Sequence, residues 1–208
     1  IADDAVRAAR EQRLHVPLDI TSGARATVGG AYMTDAAGPY AAGYGPFRDY
    51  VIGAKCVTAG GDIVTFGGRT MKNVTGYEVT RFLAGTRGIF AIAAELTLKA
   101  LPLPERQTVL VGQFPEKGDP VSALSGIEAT GGVVKTCELL AESGLGGKTL
   151  IAIGLEGMEP MVMKGVGTIR EFLERAGTVT VREDTPEEFT RFRREAAQRM
   201  VQAGFLTL

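Results

Sequence analysis

The sequence has few of the residues from which metal centres and nucleophilic sites are commonly built. Its 208 residues include one histidine, His15, and two cysteines, Cys56 and Cys137. The two cysteines are far apart in sequence, so they form neither a CxxC pair nor a disulfide framework. The sequence also lacks an HExxH motif and a Ser-His-Asp set. We therefore expect no metal site and assign no catalytic residue from these motifs.

Strong charge and long apolar runs are also missing. A formal net charge of −1 gives no reason to expect nucleic acid or an anionic membrane as the main partner. No apolar run reaches the roughly 18 residues of a membrane span. The composition predicts a globular protein of one or two domains, and the isolated cysteines favour a reducing cytoplasm. Because the chain starts without Met and ends on "FLTL", we expect a fragment.

The sequence changes from glycine-rich segments to regular strand and helix patterns at "LPLPERQ", residues 101–107. A Pro-x-Pro spacing favours extended chain, so we place the domain boundary there and predict domains at 1–105 and 106–208. In the first domain we expect a helix over 2–13, a hairpin in "YVIGAKCVTAGGDIVTFGG" and a short helix in "YEVTRFLAG". The following "GIFAIAAELTLKAL" predicts a long strand, buried at its start and half-exposed at its end.

The second domain alternates regular strands and amphipathic helices. The predicted strands span 106–114, 133–140, 149–156 and 178–183, and the predicted helices 118–130, 159–176 and 186–203. Thr185 and Glu188 have the spacing of a capping box at the start of the last helix. The order βαββαβ is typical of a ferredoxin-like antiparallel sheet covered by helices, so the fold class is α+β.

Small residues form the main candidate binding surface. The turn Thr27 to Gly30 could present backbone N–H groups to an anion, although a Gly-Gly pair is more often an ordinary turn. Low-bulk residues follow it: Thr34, Ala36, Ala37 and Gly38. Such a surface would suit a flat aromatic ring beside a pyrophosphate. The common nucleotide signatures, GxxxxGK[ST] and a GxGxxG after a strand, are absent.

Several segments in order carry a family resemblance. The stretch from "ATVGGAYMTDAAGPYAAGYGPFRDYVIG" to "LPLP" resembles the second half of the PCMH-type FAD-binding domain of the vanillyl-alcohol oxidase superfamily. The segments "RDYVIG", "FGG" and "MKNVTGYEVTRFLAGTRG" are most similar to the FAD-binding E subunit of bacterial glycolate oxidase and to D-lactate or 2-hydroxy-acid dehydrogenases. The match is dense over about residues 12–105, and it implies that 106–208 is a cap domain.

The resemblance implies a set of FAD contacts. They are Thr27, Gly29, Gly30, Thr34, Ala36, Gly38, Tyr44, Gly45, Gly88 and Ile92. Ile92 matches the position that meets the adenine, and Lys72 and Asn73 lie toward the substrate side of the flavin. Structural interpretations stay open beside these. Ile92, like Ile89, is first of all expected in the core, Asp49 could cap a turn or pair with Arg48, and Lys72 could be a solvated lysine.

The implied function is oxidation of a small 2-hydroxy acid, glycolate or D-lactate, by an FAD-binding subunit that passes electrons onward. The implied partners are a homologous flavoprotein subunit and an iron-sulfur subunit, in the cytoplasm or attached peripherally to the inner membrane face through those partners. The family domain starts with a half that carries its own glycine loop, and nothing similar precedes Ile1.

Histidine content leads to an alternative function. Oxidation of an alcohol by hydride transfer needs a base for the hydroxyl proton, and His15 is the only side chain with an ordinary pKa near neutrality. A lone histidine at a helix end is more often a cap or a surface residue. The catalytic base is therefore unassigned. The alternative is a non-catalytic structural or assembly subunit of the same fold that binds a homologous catalytic flavoprotein.

Overall fold

The computed structural model describes the chain except for residues 21–25, 37, 69–77, 116–117, 122–123, 125–126, 128–129, 131, 142–148, 179 and 203–208, and the side chains of 196–202. The chain divides into two compact units, Ile1–Leu103 and Pro104–Leu208. This division falls two residues before the boundary expected from "LPLPERQ". That the first unit is a flavin domain and the second its cap stays a prediction.

The first unit contains two small antiparallel sheets and four α-helices among its described residues. The elements are α1 (Ala2–Glu11), β1 (Leu14–His15), α2 (Val28–Thr34), α3 (Ala41–Tyr44), a 3₁₀ turn (Phe47–Tyr50), β2 (Val51–Thr58), β3 (Ile63–Gly67), α4 (Val79–Leu83), β4 (Ala91–Leu98) and β5 (Leu101–Pro102). Strand β1 pairs with β5, and the other strands form a sheet in the order β3-β2-β4. Helix α1 ends before the predicted residue 13, because Arg13 adopts φ 58°.

The hairpin of β2 and β3 forms as the sequence predicts. Its last strand pair is Val57 with Ile63. Gly61 supplies a φ of +87° in the turn, a conformation that costs glycine little. The backbone N–H of Asp62 donates to the Thr58 hydroxyl at 3.3 Å, which closes the turn.

Strand β4 differs from its prediction at the start. It begins at Ala91, and three large apolar side chains around that point are exposed: Ile89 (77%), Phe90 (55%) and Ile92 (65%). The prediction of a buried start, with Ile89 and Ile92 in the core, was wrong. Successive strand residues point to opposite faces, so only Ala91 and alternate residues turn toward the helices that cover one face of this sheet.

The core of the first unit lies between that sheet face and α2. Its largest fully buried side chains include Tyr32 and Phe47, and Cys56 is buried beside them on β2. The Tyr32 hydroxyl donates to the Thr80 carbonyl oxygen, which ties α2 to α4. Burial against one face alone therefore holds the described part of this unit together.

The second unit has the predicted ferredoxin-like strand order. Its elements are β6 (Arg106–Phe114), β7 (Val134–Ala141), β8 (Thr149–Gly157), α5 (Glu159–Arg175), β9 (Thr180–Asp184) and α6 (Pro186–Gln202). The sheet is antiparallel in the order β7-β8-β6-β9, which places the first and third strands of βαββαβ at its centre. Six of the thirteen residues of the predicted helix 118–130 lie outside the described residues, and the seven described ones are not α-helical.

Helices cover both faces of this sheet. Helix α5 buries Val162, Ile169 and Leu173, at helical spacing, against one face that includes Leu110. Helix α6 buries Phe189 against the opposite face, where Val109 and Val111 alternate with Leu110. Because each face of the sheet has its own helix, the apolar residues of the central strand β6 are almost all buried.

The predicted capping box starts α6. The backbone N–H of Glu188 donates to the Thr185 hydroxyl at 3.2 Å, and the backbone N–H of Thr185 donates to the Glu188 carboxylate at 2.8 Å. This bond and a second one from the Thr185 hydroxyl lower the pKa of Glu188. The box fixes the first turn of the helix that covers the second sheet face.

A buried ion pair joins α6 to the edge strand β7. The Arg193 guanidinium donates to both carboxylate oxygens of Glu138, at 2.9 and 3.0 Å. The two side chains are only 3% and 15% exposed. Helix α6 therefore shields the Glu138 side chain from solvent.

We predict that Glu138→Ala lowers the free energy of unfolding by about 3 to 5 kcal/mol, because the charge of Arg193 would stay buried without its carboxylate. Glu171→Ala is the control, since it breaks the exposed pair with Arg175 and should cost less than about 1 kcal/mol. Urea unfolding of both variants measures the difference. Equal losses would show that the Glu138 pair contributes no more than a surface pair.

Candidate flavin site

The glycine pair lies in the first turn of α2. Thr27 caps this helix, and its hydroxyl accepts the Gly30 N–H at 2.9 Å. A Cβ at position 30 would itself lie 2.9 Å from that hydroxyl oxygen, so the cap leaves little room for a side chain there. The Thr34 hydroxyl donates back to the Gly30 carbonyl at 2.7 Å. Both hydroxyls of the expected flavin surface therefore bond to α2 itself.

The glycine turn before β4 packs against the other end of the same helix. The backbone N–H of Gly85 donates to the Tyr32 carbonyl at 3.1 Å, and that of Arg87 donates to the Met33 carbonyl at 2.7 Å. Gly88 follows with a φ of +80°. A Cβ on Gly88 would lie 3.7 Å from Cγ1 of Ile92. The turn thus leads directly to the exposed side chain of Ile92.

The start of α2 also approaches β4. A Cβ at Gly29 would lie 3.5 Å from the carbonyl oxygen of Ala93, the residue after Ile92. The structure therefore brings the first turn of α2, Gly88 and Ile92 into one region of the first unit. These are predicted site residues far apart in sequence.

The remaining described site residues lie between α2 and β2. The Ala36 N–H donates to the Ala31 carbonyl at 2.9 Å, and the Tyr44 carbonyl accepts the Tyr50 hydroxyl at 2.8 Å. Gly38 and Gly45 have φ angles of +51° and +83°. A Cβ at Gly38 would lie 2.1 Å from the Asp19 carbonyl oxygen, so the backbone approach itself requires glycine there.

His15 does not lie on the surface. Its ring is 2% exposed, with its centroid 5.3 Å from that of Tyr40 and 5.2 Å from that of Tyr44. The expectation of a cap or surface histidine was wrong, because β1 pairs with β5 and turns His15 inward. In this position the imidazole packs against the two tyrosine rings and is shielded from solvent.

Two ion pairs of the first unit were not predicted from the sequence. Asp35, at the end of α2, accepts from Arg48, and Asp49 accepts from Arg81 at 2.6 Å. The suggested pair of Asp49 with its neighbour Arg48 was wrong. Hydrogen bonds that Arg81 donates to Asp49 and Glu78 raise the pKa of Arg81 further. Both arginines already have carboxylate partners, a pairing between elements that sequence spacing does not reveal.

Burial favours the protonated forms of Tyr32 and of the two thiols. Desolvation raises the pKa of Tyr32 to about 12, with a smaller contribution from Cys56. Burial also raises the pKa of the Cys56 thiol, and it raises that of Cys137 together with the nearby Glu138. A protonated thiol is a poor nucleophile, so neither cysteine is suited to covalent catalysis.

The substrate-side candidates Lys72 and Asn73 lie outside the described residues, so their role stays a prediction. Within the described part of the chain, no group of three or more His, Cys, Asp or Glu side chains could hold a metal ion. A search of the same residues finds no helix with the length and apolarity to cross a membrane.

Residues 1–67 match the family described as the FAD binding domain. Helix α2 lies within this match, and Gly88 lies beyond it. Named relatives extend the match beyond residue 67.

The chain is homologous to FAD-linked glycolate oxidase subunits and D-lactate dehydrogenases. It is 34% identical to glycolate oxidase subunit GlcD of Bacillus subtilis over 137 residues, 66% of this chain and 29% of GlcD. It is 35% identical to the mitochondrial D-lactate dehydrogenase [cytochrome] of Arabidopsis thaliana, over 64% of this chain and 23% of the relative. Glycolate oxidase subunit GlcE of Escherichia coli is 39% identical over 39% of this chain and 23% of GlcE.

A solved structure of similar fold covers both units. Alkyldihydroxyacetonephosphate synthase superposes with a TM-score of 0.75 over 94% of this chain and 40% of the synthase, at 17% identity. Together with the observed strands and helices, this similarity confirms the predicted α+β fold. The chain spans less than a third of the length of each curated relative named above.

We predict that Gly38→Ala destabilises the first unit by about 2 to 5 kcal/mol, from left-handed backbone strain and the clash with Asp19. Gly61→Ala is the matched control. Gly61 also has positive φ but has nothing within 4 Å of an added Cβ, so only the strain of about 1 to 2 kcal/mol applies. Urea unfolding without flavin separates the two. A loss at position 38 no larger than at position 61 would contradict the close approach.

We predict that Tyr32 makes the protein less stable in alkali. The folded state holds the phenol proton up to a pKa of about 12, whereas the unfolded chain releases it near 10. Its stabilisation is therefore complete below pH 10 and is lost as the pH rises toward 12, by up to about 3 kcal/mol. Tyr32→Phe should cost about 1 kcal/mol at pH 8 and flatten this alkaline fall. A variant with the wild-type pH profile would assign the fall to other groups.

Proposed function

We propose that this chain supplies one wall of the FAD site of an oxidoreductase that oxidises a small 2-hydroxy acid, glycolate or D-lactate. The observation that carries the proposal is the exposed Ile92 beside Gly88 at the start of β4, in a chain whose residues 1–67 match an FAD binding domain. The names of the relatives, glycolate oxidase subunit and D-lactate dehydrogenase, support the substrate class.

The residues present fit an FAD contact surface. Gly88 carries no side chain, so a flat group can approach the backbone beside Ile92 there, whereas Gly29 faces the Ala93 carbonyl of β4. The apolar side chain of Ile92 stands beside Gly88 and is available to pack on a ring such as adenine. The backbone N–H groups in the first turn of a helix have no acceptor within the helix. In α2 the Gly30 N–H donates to the Thr27 hydroxyl, so this group is not free for a cofactor.

When bound, FAD would accept the hydride that leaves the α-carbon of the hydroxy acid. The contribution of this chain is positional. Ile92 and Gly88 orient the cofactor, and hydrogen bonds to the end of α2 hold the Gly85–Gly88 turn in place. The hydroxyl proton needs a base, and buried His15 is badly placed for it. We therefore propose that the proton acceptor comes from outside the described residues, where Lys72 remains a substrate-side candidate.

We further propose that the electrons pass to a partner subunit in a cytoplasmic complex. The relatives GlcD and GlcE are both subunits named for glycolate oxidase, which supports a homologous flavoprotein partner. An iron-sulfur acceptor is the expectation from the resemblance. The unpaired cysteines support a reducing compartment.

A second function follows from the burial of His15. A subunit that keeps the fold but lacks a base in reach of substrate could bind a catalytic flavoprotein and serve in assembly. The burial of the imidazole between Tyr40 and Tyr44 favours this alternative.

The test is the visible spectrum of the protein isolated from its native cells by antibody, so that bound segments and subunits stay attached. We predict a flavin spectrum that bleaches under anaerobic conditions with glycolate or D-lactate. Acetate, which has the carboxylate but no hydroxyl, is the control and should leave the colour unchanged. A colourless protein that copurifies with a separate flavoprotein would replace the proposal with the assembly function.

A further inference from the structure

Arg87 adopts a backbone conformation that arginine rarely takes. Its φ is +54°, in the left-handed region, and it stands in a turn between Gly85 and Gly88, which also have positive φ. Left-handed backbone is strained for a residue with a Cβ, whereas glycine takes it at little cost. The Arg87 N–H donates to the Met33 carbonyl at 2.7 Å and so fixes this residue against the end of α2. Strained residues that their surroundings hold in place cluster at active sites and ligand clamps.

The Arg87 guanidinium is exposed, and it forms no hydrogen bond or ion pair with the residues that the structure describes. A carboxylate does lie close to this turn, since the Asp35 Cβ is 3.3 Å from where a Cβ on Gly85 would stand. Asp35 pairs with Arg48 instead, and Arg81 is likewise paired. The charges of Arg48 and Arg81 are thus neutralised, whereas the charge of Arg87 is available to a ligand.

This charge lies at the edge of the proposed FAD contact. Gly88 follows Arg87 directly in the chain, and a Cβ on Gly88 would lie 3.7 Å from Cγ1 of Ile92. Ile92 is 65% exposed, so an apolar side chain and a guanidinium are both open to a ligand on either side of one glycine. Such a pair of contacts suits a molecule that joins a flat ring to an anion.

We propose that Arg87 binds the diphosphate of FAD. The inference rests on the proposed function for the identity of the ligand. The diphosphate is anionic, and a planar guanidinium can donate to two phosphate oxygens at once. The Gly30 N–H donates to the Thr27 hydroxyl and is not available to that anion. Arg87 therefore supplies positive charge to the cofactor, while Ile92 packs on its ring.

Arg13 provides a comparison for Arg87 within the same chain. Its φ is +58°, and its side chain is also exposed, without a partner among the described residues. Arg13 stands between α1 and β1, and β1 belongs to a different sheet from β4. The two arginines therefore share a backbone conformation and exposure, but only Arg87 has Gly88 and Ile92 beside it.

Titration with FAD tests the role of Arg87. Arg87→Gln removes the charge and keeps a long polar side chain, and Arg13→Gln is the matched control. Wild type and variants are each isolated from their native cells by antibody, freed of flavin and titrated with FAD at low and at high salt. A second flavin site in a partner subunit would bind FAD equally in all of them, so the comparison between variants isolates position 87.

We predict that Arg87→Gln weakens FAD binding by about tenfold or more at low salt, because a hydrogen-bonded charge is lost. The difference should shrink at high salt, since salt screens an exposed ionic contact. Arg13→Gln should bind FAD as the wild type does. Equal affinities of Arg87→Gln and wild type would overturn the proposal. A loss that does not depend on salt would also overturn it and assign Arg87 to packing on the ring.

Arg87→Gly separates binding from stability. Glycine removes the left-handed strain, so the urea midpoint should not fall, yet FAD affinity should fall as far as in Arg87→Gln. A midpoint that falls together with the affinity would overturn the proposal, because Arg87 would then only support the fold of the turn. A wild type that takes up no FAD contradicts the proposed function as well. A wild type that binds FAD, with variants that bind it equally, contradicts this inference alone.

Discussion

One-sided burial of the three-stranded sheet is the constraint on which the first unit depends. Helix α2 packs on one face, and the Gly85–Gly88 turn bonds to the end of that helix. This packing fixes where β4 starts, and so it fixes Ile92 at the open side. The same contact thus produces both the core of the unit and the exposed region proposed to meet FAD.

The second unit solves the equivalent packing problem differently. Its sheet has α5 on one face and α6 on the other, so β6 is buried on both sides. Because α6 covers the second face, a charged side chain buried there lowers the stability unless it is paired. Glu138 is paired with Arg193. Apolar strand residues are therefore covered by helices in the second unit, whereas Ile63 and Ile92 of the first unit are exposed.

Local patterns predicted the elements well, whereas contacts between elements escaped them. The hairpin turn at Gly61 and the capping box of Thr185 depend on residues close in sequence, and both are confirmed. Burial of Ile92 and His15 was predicted wrongly, because it depends on what packs over a face. The sequence of an apolar strand is the same whether or not a helix packs over it. Ion pairs such as Asp49–Arg81 join residues 32 positions apart, so sequence spacing does not predict them.

The chemistry of the chain points to a supporting role in a reaction carried by a cofactor. Burial keeps the two thiols and Tyr32 protonated and places His15 among aromatic rings. What the first unit offers instead is shape: backbone without a side chain at Gly88, beside the exposed Ile92. Shape of this kind can orient a large cofactor but cannot itself move a proton. Binding and proton transfer are therefore separable in this protein, and only binding is supported by the described residues.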